Sequence, residues 1–95
     1  MPFEFRRYSD AKVWRGPVAS AHSVRAGSCV VYHGIAARQL RGFSDPRRVL
    51  RIDSKYEVAG TSIRGCHHGI CLVGHDGVFP AQGFHAAAAH GWVEA

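Results

Sequence analysis

Alternation between two faces is the clearest pattern in the chain, and it begins at His67. Ile70 and Leu72 fall on one face together with His68, whereas His67 and Gly69 fall on the other. This period of two is typical of a β-strand. An Asp-Gly turn follows and leads into a second apolar run, which is the pattern of a hairpin. The sequence therefore predicts a β-hairpin with imidazoles at the start of its first strand.

A helical pattern precedes this hairpin and predicts an α-helix over about residues 29–41. Ser28 is a favourable N-cap, and Gly42 is well placed to end the helix. Apolar residues with helical spacing form one stripe through the segment, at Val31, Ile35 and Leu40. This helix would place Cys29 in its first turn.

The remaining segments predict a small sheet and one more helix. Residues 47–52 and 56–58 are expected to be strands, and the hairpin is expected to span residues 66–81, with Pro80 ending its second strand. Four consecutive alanines predict a short C-terminal helix over residues 84–90, stopped by Gly91. The predicted fold class is thus α+β: a single domain, residues 1–95, with an antiparallel sheet of about four strands.

Composition adds expectations about partners and compartment. The chain has 46% hydrophobic residues and a formal charge of +5, so we expect a folded domain with acidic partners, either an acidic protein or nucleic acid. Aromatic and basic side chains interleave in residues 1–15, a pattern that suits single-stranded nucleic acid. No apolar run is long enough to span a membrane, and no signal-peptide layout follows the first arginines. With only three cysteines, we expect an intracellular protein whose cysteines are free thiols or metal ligands.

The first chemical hypothesis is a cysteine–histidine pair. A thiol in the first turn of a helix has a lowered pKa, because the backbone N–H groups favour the thiolate. Cys29 would hold that position, and an imidazole within hydrogen-bond reach would act as the base that activates the thiol as a nucleophile. His67 is the expected base, with His68 and His75 as alternates. Gly69 would let the helix approach the strand closely.

A family resemblance supports this pair. The run from His67 to Gly74, His-His-Gly-Ile-Cys-Leu-Val-Gly, followed by Asp76-Gly77-Val78, resembles the H-box of the NlpC/P60 superfamily and of its lecithin–retinol-acyltransferase-like branch. The resemblance implies a small papain-like fold in which a cysteine helix precedes a histidine strand. It also implies a hydrolase or acyltransferase acting on an amide or ester, with a peptide or lipid as substrate and no cofactor.

An alternative hypothesis is a zinc site. Cys66, Cys71, His85 and His90 approach the spacing of a two-cysteine, two-histidine site, and these side chains are the ligands that tetrahedral zinc prefers. The alternating strand directs Cys66 and Cys71 to opposite faces, so we expect no bound zinc. The second functional hypothesis is accordingly a non-catalytic basic binding module, with or without stabilising zinc.

Overall fold

The computed structural model describes residues 12–34 and 41–94, and nearly all the regular structure in those ranges is β-strand. The strands are β1 (Lys12–Trp14), β2 (Cys29–Tyr32), β3 (Lys55–Arg64), β4 (His67–Leu72), β5 (Phe79–Pro80), β6 (Phe84–Ala86) and β7 (Trp92–Glu94). Two single-turn 3-10 helices, Pro46–Arg48 and Ala81–Gly83, are the helical elements of these ranges. The predicted α+β class is therefore wrong, because the described chain forms antiparallel β-sheets.

The strands form two sheets of different size. The larger one has the order β5-β4-β3-β2-β6, and β1 pairs with β7 in a separate two-stranded ribbon. The two edges of the larger sheet, β5 and β6, are joined only by the short helix at residues 81–83. So short a connection brings both edges together, and the five-stranded sheet is therefore rolled around its own core.

That core contains side chains from every strand of the rolled sheet. β2 contributes Val30 and Tyr32, and β4 contributes Ile70 and Leu72. The other buried members of the cluster are Ala19, Val24, Leu50, Val58, Phe79, Ala81 and Phe84. The predicted alternation of β4 is confirmed, since Ile70 and Leu72 lie together in the core.

The predicted helix over residues 29–41 is wrong at its start. Residues 29–32 form β2, which lies inside the sheet between β3 and β6; residues 35–40 lie outside the described part of the chain. β-branched and aromatic side chains favour a strand wherever both neighbours can pair with it. Val30 and Tyr32 satisfy this preference, because they enter the core at alternate positions and are almost completely buried.

The predicted C-terminal helix is also wrong. Phe84 opens β6 opposite Tyr32 and is fully buried, so tertiary packing fixes this segment as a strand. The alanines that follow form a turn, in which Ala89 N–H donates to the Ala86 carbonyl (2.9 Å). A run of alanines has high helix propensity, but so short a helix cannot offset the cost of its nucleation. No helix in the described ranges is long and apolar enough to cross a membrane.

The predicted strand over residues 47–52 is replaced by the first 3-10 helix and a turn. Asp45 caps that helix by accepting a hydrogen bond from Arg47 N–H (3.0 Å), and Pro46 occupies its first position. Both features favour a helical turn over a strand. The predicted strand at residues 56–58 is present, and it is longer than predicted, because β3 spans Lys55–Arg64.

The predicted hairpin at residues 66–81 is confirmed. β4 pairs with β5, with Gly69 opposite Pro80 and Ile70 opposite Phe79. Gly74 and Gly77 both have positive φ angles in the connecting turn. Because glycine adopts such angles without strain, the Gly-rich sequence sets this turn.

Candidate functional site

A cleft of about 180 Å³ lies where the β3–β4 hairpin meets the segment that precedes β2. We call it the histidine cleft. Its described lining residues are Ala19, Ser20, Cys66, His67, His68, Ala81 and Gln82. The lining supplies a hydroxyl, a thiol, two imidazoles and an amide, and none of these residues carries a carboxylate. The cleft therefore offers several hydrogen-bond donors and no fixed negative charge.

The imidazole of His68 is held in one orientation. Its Nδ1 accepts a hydrogen bond from Ala21 N–H (2.8 Å), and the ring of His22 lies edge-on to it, with the centroids 5.0 Å apart. A neutral imidazole that accepts at Nδ1 carries its proton on Nε2. His68 is therefore fixed as an Nε2–H donor on the face of β4 that carries Ile70.

His67 lies on the opposite face of β4, beside a cationic surface. Its ring is edge-on to Phe43 at 6.4 Å, and its strand partner is Arg64. The Arg64 guanidinium lies 5.7 Å from the centroid of the Phe43 ring and donates to the Gly42 carbonyl (2.7 Å). Stacking on an aromatic ring and a carbonyl bond both restrict an arginine. Arg64 is thus an ordered cation on the His67 face of the hairpin.

The structure does not bring Cys29 to this cleft. Cys29 lies opposite Glu57 on β3, whereas His67 lies opposite Arg64, seven residues farther along the same strand. At the rise of a β-strand, this separation is roughly 20 Å. No helix begins at Cys29, which instead opens β2. The cysteine that does line the cleft, beside His67 and His68, is Cys66.

His75 and the four residues of the zinc hypothesis are likewise spread over the molecule. His75 lies in the β4–β5 loop, edge-on to Tyr56 at 5.6 Å. Cys66 is in the β3–β4 turn and Cys71 is near the far end of β4; His85 is buried in β6, and His90 is exposed beyond it. Within residues 12–34 and 41–94, no three histidine, cysteine or carboxylate side chains are arranged to hold a metal ion.

A second histidine cluster is buried, and no local sequence pattern indicated it. His33 would be an ordinary surface or helix residue by pattern alone, but it is 0% exposed. Its Nε2 bonds to the Gln82 carbonyl (2.8 Å), and its Nδ1 lies 3.0 Å from Nδ1 of His85. A carbonyl only accepts, so His33 donates through Nε2 and its Nδ1 accepts from His85.

Tryptophan covers this histidine pair. The ring of Trp14 stacks on His85, with the centroids 3.5 Å apart, and on His33 at 5.5 Å. Trp92 lies edge-on to both Trp14 and His85. Because the tryptophans belong to β1 and β7, the cluster joins the two-stranded ribbon to the rolled sheet.

Burial keeps both histidines neutral. Loss of solvation lowers the pKa of His33 to about 3, with a further lowering from the nearby His85 and a partial opposing effect from the bond to Gln82. Burial also lowers the pKa of His85 to about 4, although the Asp53 carboxylate opposes that change. The pair is therefore a structural element at neutral pH.

Comparison with protein families, with curated proteins and with solved structures finds no match to this chain. The resemblance to the H-box therefore rests on residues 67–78 alone. Of the residues that line the histidine cleft, sequence reasoning singled out Cys66, His67 and His68. It missed Ser20 and Gln82, because no motif links them to the hairpin.

Proposed function

We propose that this domain is a non-catalytic module that binds an acidic protein segment at the histidine cleft. Two observations carry the proposal. The cleft contains hydroxyl, thiol, amide and imidazole groups and no carboxylate among its described lining residues, and the strand partner of the lining residue His67 is the cation Arg64. An anionic side chain entering such a site finds donors without meeting like charge. The excess of positive charge, +5 for the chain, adds long-range attraction for the same partner.

Arg64 is the main cation of this surface. Its guanidinium is fixed by Phe43 and by the Gly42 carbonyl, so it loses little side-chain freedom when a carboxylate approaches. Arg41, exposed and adjacent in sequence to Gly42, adds a second positive charge close by. A fixed arginine with free donor groups is well suited to bind carboxylates.

Buried aromatic rings favour a protein partner over single-stranded nucleic acid. Binding without base readout depends on aromatic faces that stack on the bases. Among the described residues, the rings of Trp14, Tyr32, Phe43, Phe79 and Phe84 are buried, and Tyr56 and Trp92 are partly buried. The aromatic residues of the first eleven positions lie outside the described ranges. The described surface thus offers cations without an open stacking platform.

Binding is favoured over the predicted hydrolysis by the position of Cys29. The expected nucleophile Cys29 and the expected base His67 lie roughly 20 Å apart along the sheet, by the rise of a β-strand. A nucleophile and its base must lie within hydrogen-bond reach. This separation leaves the Cys29–His67 pair without geometric support, and the cleft retains its donors for binding.

Arg64→Gln tests this proposal, with Lys55→Gln as the matched control. The two cations lie at opposite ends of β3, about 30 Å apart at the rise of a strand, and both are exposed. We expect Arg64→Gln to weaken binding of a glutamate-rich twelve-residue peptide about five-fold, equivalent to about 1 kcal/mol. Lys55→Gln should change it less than two-fold. Fluorescence anisotropy of the labelled peptide measures both.

Two further arms make this test decisive. Arg64→Lys keeps the charge and should retain most of the affinity, whereas a glutamine-rich peptide of equal length should not bind. Thermal melting of each variant checks that the fold is intact. The proposal would be contradicted if Arg64→Gln and Lys55→Gln lost equal affinity for the acidic peptide. It would also be contradicted if the protein bound a twelve-nucleotide oligothymidylate more tightly than the acidic peptide.

A further inference from the structure

The outer edge of β3 beyond residue 59 has no strand partner among the described residues. β2 pairs only with Lys55–Glu57, and the segment before β2 reaches only Val58, whose N–H donates to the Ser28 carbonyl (2.9 Å). From Gly60 to Arg64, β3 pairs with β4 on its other side. Unpaired backbone groups on an edge strand are a template for another strand.

The tight turn that follows β3 decides which backbone groups face outward. Gly65 and Cys66 form a two-residue loop, with φ of 63° at Gly65. The hydrogen bond across such a turn directs the Arg64 carbonyl toward β4. The direction of the backbone N–H and C=O groups alternates along an antiparallel strand. The backbone groups of Ser62 therefore also point toward β4, whereas those of Thr61 and Ile63 point outward.

The side chains along this edge leave room for a partner strand and supply one apolar and one charged contact for it. A Cβ added to Gly60 would meet no atom within 4 Å, and Thr61 is exposed. Ile63 is 52% exposed, so it presents an apolar contact beside the open backbone. Arg64 is the charged residue of positions 60–64, and it is positive.

We propose that this edge, residues 60–64 of β3, binds an extended acidic segment of a partner protein as an additional strand. This inference rests on the proposed function and extends the contact with the same acidic partner from Arg64 along the outer edge of β3. Backbone hydrogen bonds to Thr61 and Ile63 hold the added strand, an apolar residue of the partner covers Ile63, and a carboxylate of the partner meets Arg64. Backbone pairing gives affinity, and the alternate side chains give specificity.

Thr61→Pro tests the pairing directly, with Thr61→Val as its control. Proline removes the outward N–H of residue 61 but none of the bonds to β4, and edge strands tolerate proline at such positions. Valine keeps the N–H and the strand preference. With the peptide Ac-(Glu-Val)3-amide, we expect Thr61→Pro to weaken binding at least ten-fold and Thr61→Val to change it less than two-fold.

Amide hydrogen exchange on the unmodified protein gives an independent measurement, which holds even if the proline variant fails to fold. Saturating peptide should slow exchange of the Thr61 and Ile63 amides at least ten-fold. The same peptide N-methylated at its valines should bind at least ten-fold more weakly, because its strand-pairing donors are gone.

The possible results separate this inference from the proposed function. One result would refute strand addition and leave the acidic-segment function standing. In that result, peptide affinity depends on Arg64, but Thr61→Pro does not weaken binding and the peptide does not slow amide exchange at Thr61 and Ile63. If neither peptide binds, both proposals fail. Self-association of the protein through this edge, detected by sedimentation and abolished by Thr61→Pro, would also overturn the inference, because the occupant would be a second copy.

Discussion

Gly69 is where the packing of β4 depends most directly on a single residue. A Cβ at this position would lie 2.5 Å from Cγ1 of Val78 and 2.8 Å from Cε1 of Phe43. The expectation that Gly69 lets a helix approach the strand is wrong, because the close neighbours are the side chains of Phe43 and Val78. Gly69 thus sets the position of Phe43, on which Arg64 stacks.

Gly69→Ala should destabilise the protein by about 1–3 kcal/mol, the usual cost of overpacking. Gly60→Ala, on the neighbouring strand, is the matched control, because its added Cβ would meet nothing within 4 Å. We expect the control to be neutral or slightly stabilising. Urea unfolding measures both free energies, and equal stability of the two variants would show that Phe43 moves away without cost.

Two-residue periodicity was sufficient to predict β4 and its hairpin, because one face of this strand is apolar and the other is not. The same reasoning failed for β2. Val31, with Ile35 and Leu40 beyond it, also fits a helical stripe, and only pairing with β3 and β6 decides for a strand. His33 and His85 are separated by 52 residues, so their contact follows from the β2–β6 pairing and from no local pattern.

Among the structural elements, the ribbon of β1 and β7 is attached to the rolled sheet mainly through the histidine pair. Trp14 covers His85 and His33, and its indole N–H donates to the Pro17 carbonyl (3.1 Å). Both imidazoles must stay neutral to remain buried in this contact, from which water is excluded. The attachment therefore depends on pH.

Stability should fall as the pH is lowered from 7 to 5. In the unfolded chain histidine takes up a proton near pH 6.5, whereas burial lowers the pKa of His33 to about 3 and of His85 to about 4. The unfolded state thus binds more protons than the folded state in this range. The free energy of unfolding therefore falls by about 2 kcal/mol for each buried histidine. The Asp53 carboxylate, which favours protonated His85, reduces this loss.

Urea unfolding at several pH values checks this loss. The pKa of the Asp45 carboxylate is lowered to about 2, mainly by its hydrogen bond from Arg47. This carboxylate stays ionised in the folded and unfolded states at pH 5 and above, so it does not contribute to the change in stability between pH 7 and pH 5. Replacing the exposed His90 by Asn should leave the pH dependence intact. A flat stability between pH 7 and pH 5 would show that the pair is not held neutral.

At the scale of the whole molecule, two glycines cross at the end of the ribbon from which the chain continues into the rolled sheet. A Cβ on Gly91 would lie 2.5 Å from the Gly16 Cα and 2.9 Å from Cζ2 of Trp14. Arg15 N–H donates to the Gly91 carbonyl (2.8 Å) at the same crossing. This contact holds Trp14 against the histidines.

Gly91→Ala should separate the ribbon from the rolled sheet before the sheet itself unfolds. The chain has two tryptophans, and both belong to the ribbon, so tryptophan fluorescence reports on the ribbon. We expect the fluorescence midpoint in urea to fall below the midpoint measured by far-ultraviolet circular dichroism. In the unmodified protein and in Gly60→Ala the two midpoints should coincide. Coincident midpoints in Gly91→Ala would mean that the two sheets unfold as one unit.

The pairing of the ribbon also determines how the molecule responds to mechanical force. Lys12 is paired with Glu94, and Trp14 with Trp92, in antiparallel register. A tether that pulls outward on the chain at residues 12 and 94 therefore loads the ribbon at one end, and its hydrogen bonds break one pair at a time rather than together. The ribbon therefore separates as far as Trp14 while the five-stranded sheet is still folded. Under tension, the histidine pair is the first buried part of the molecule to meet water.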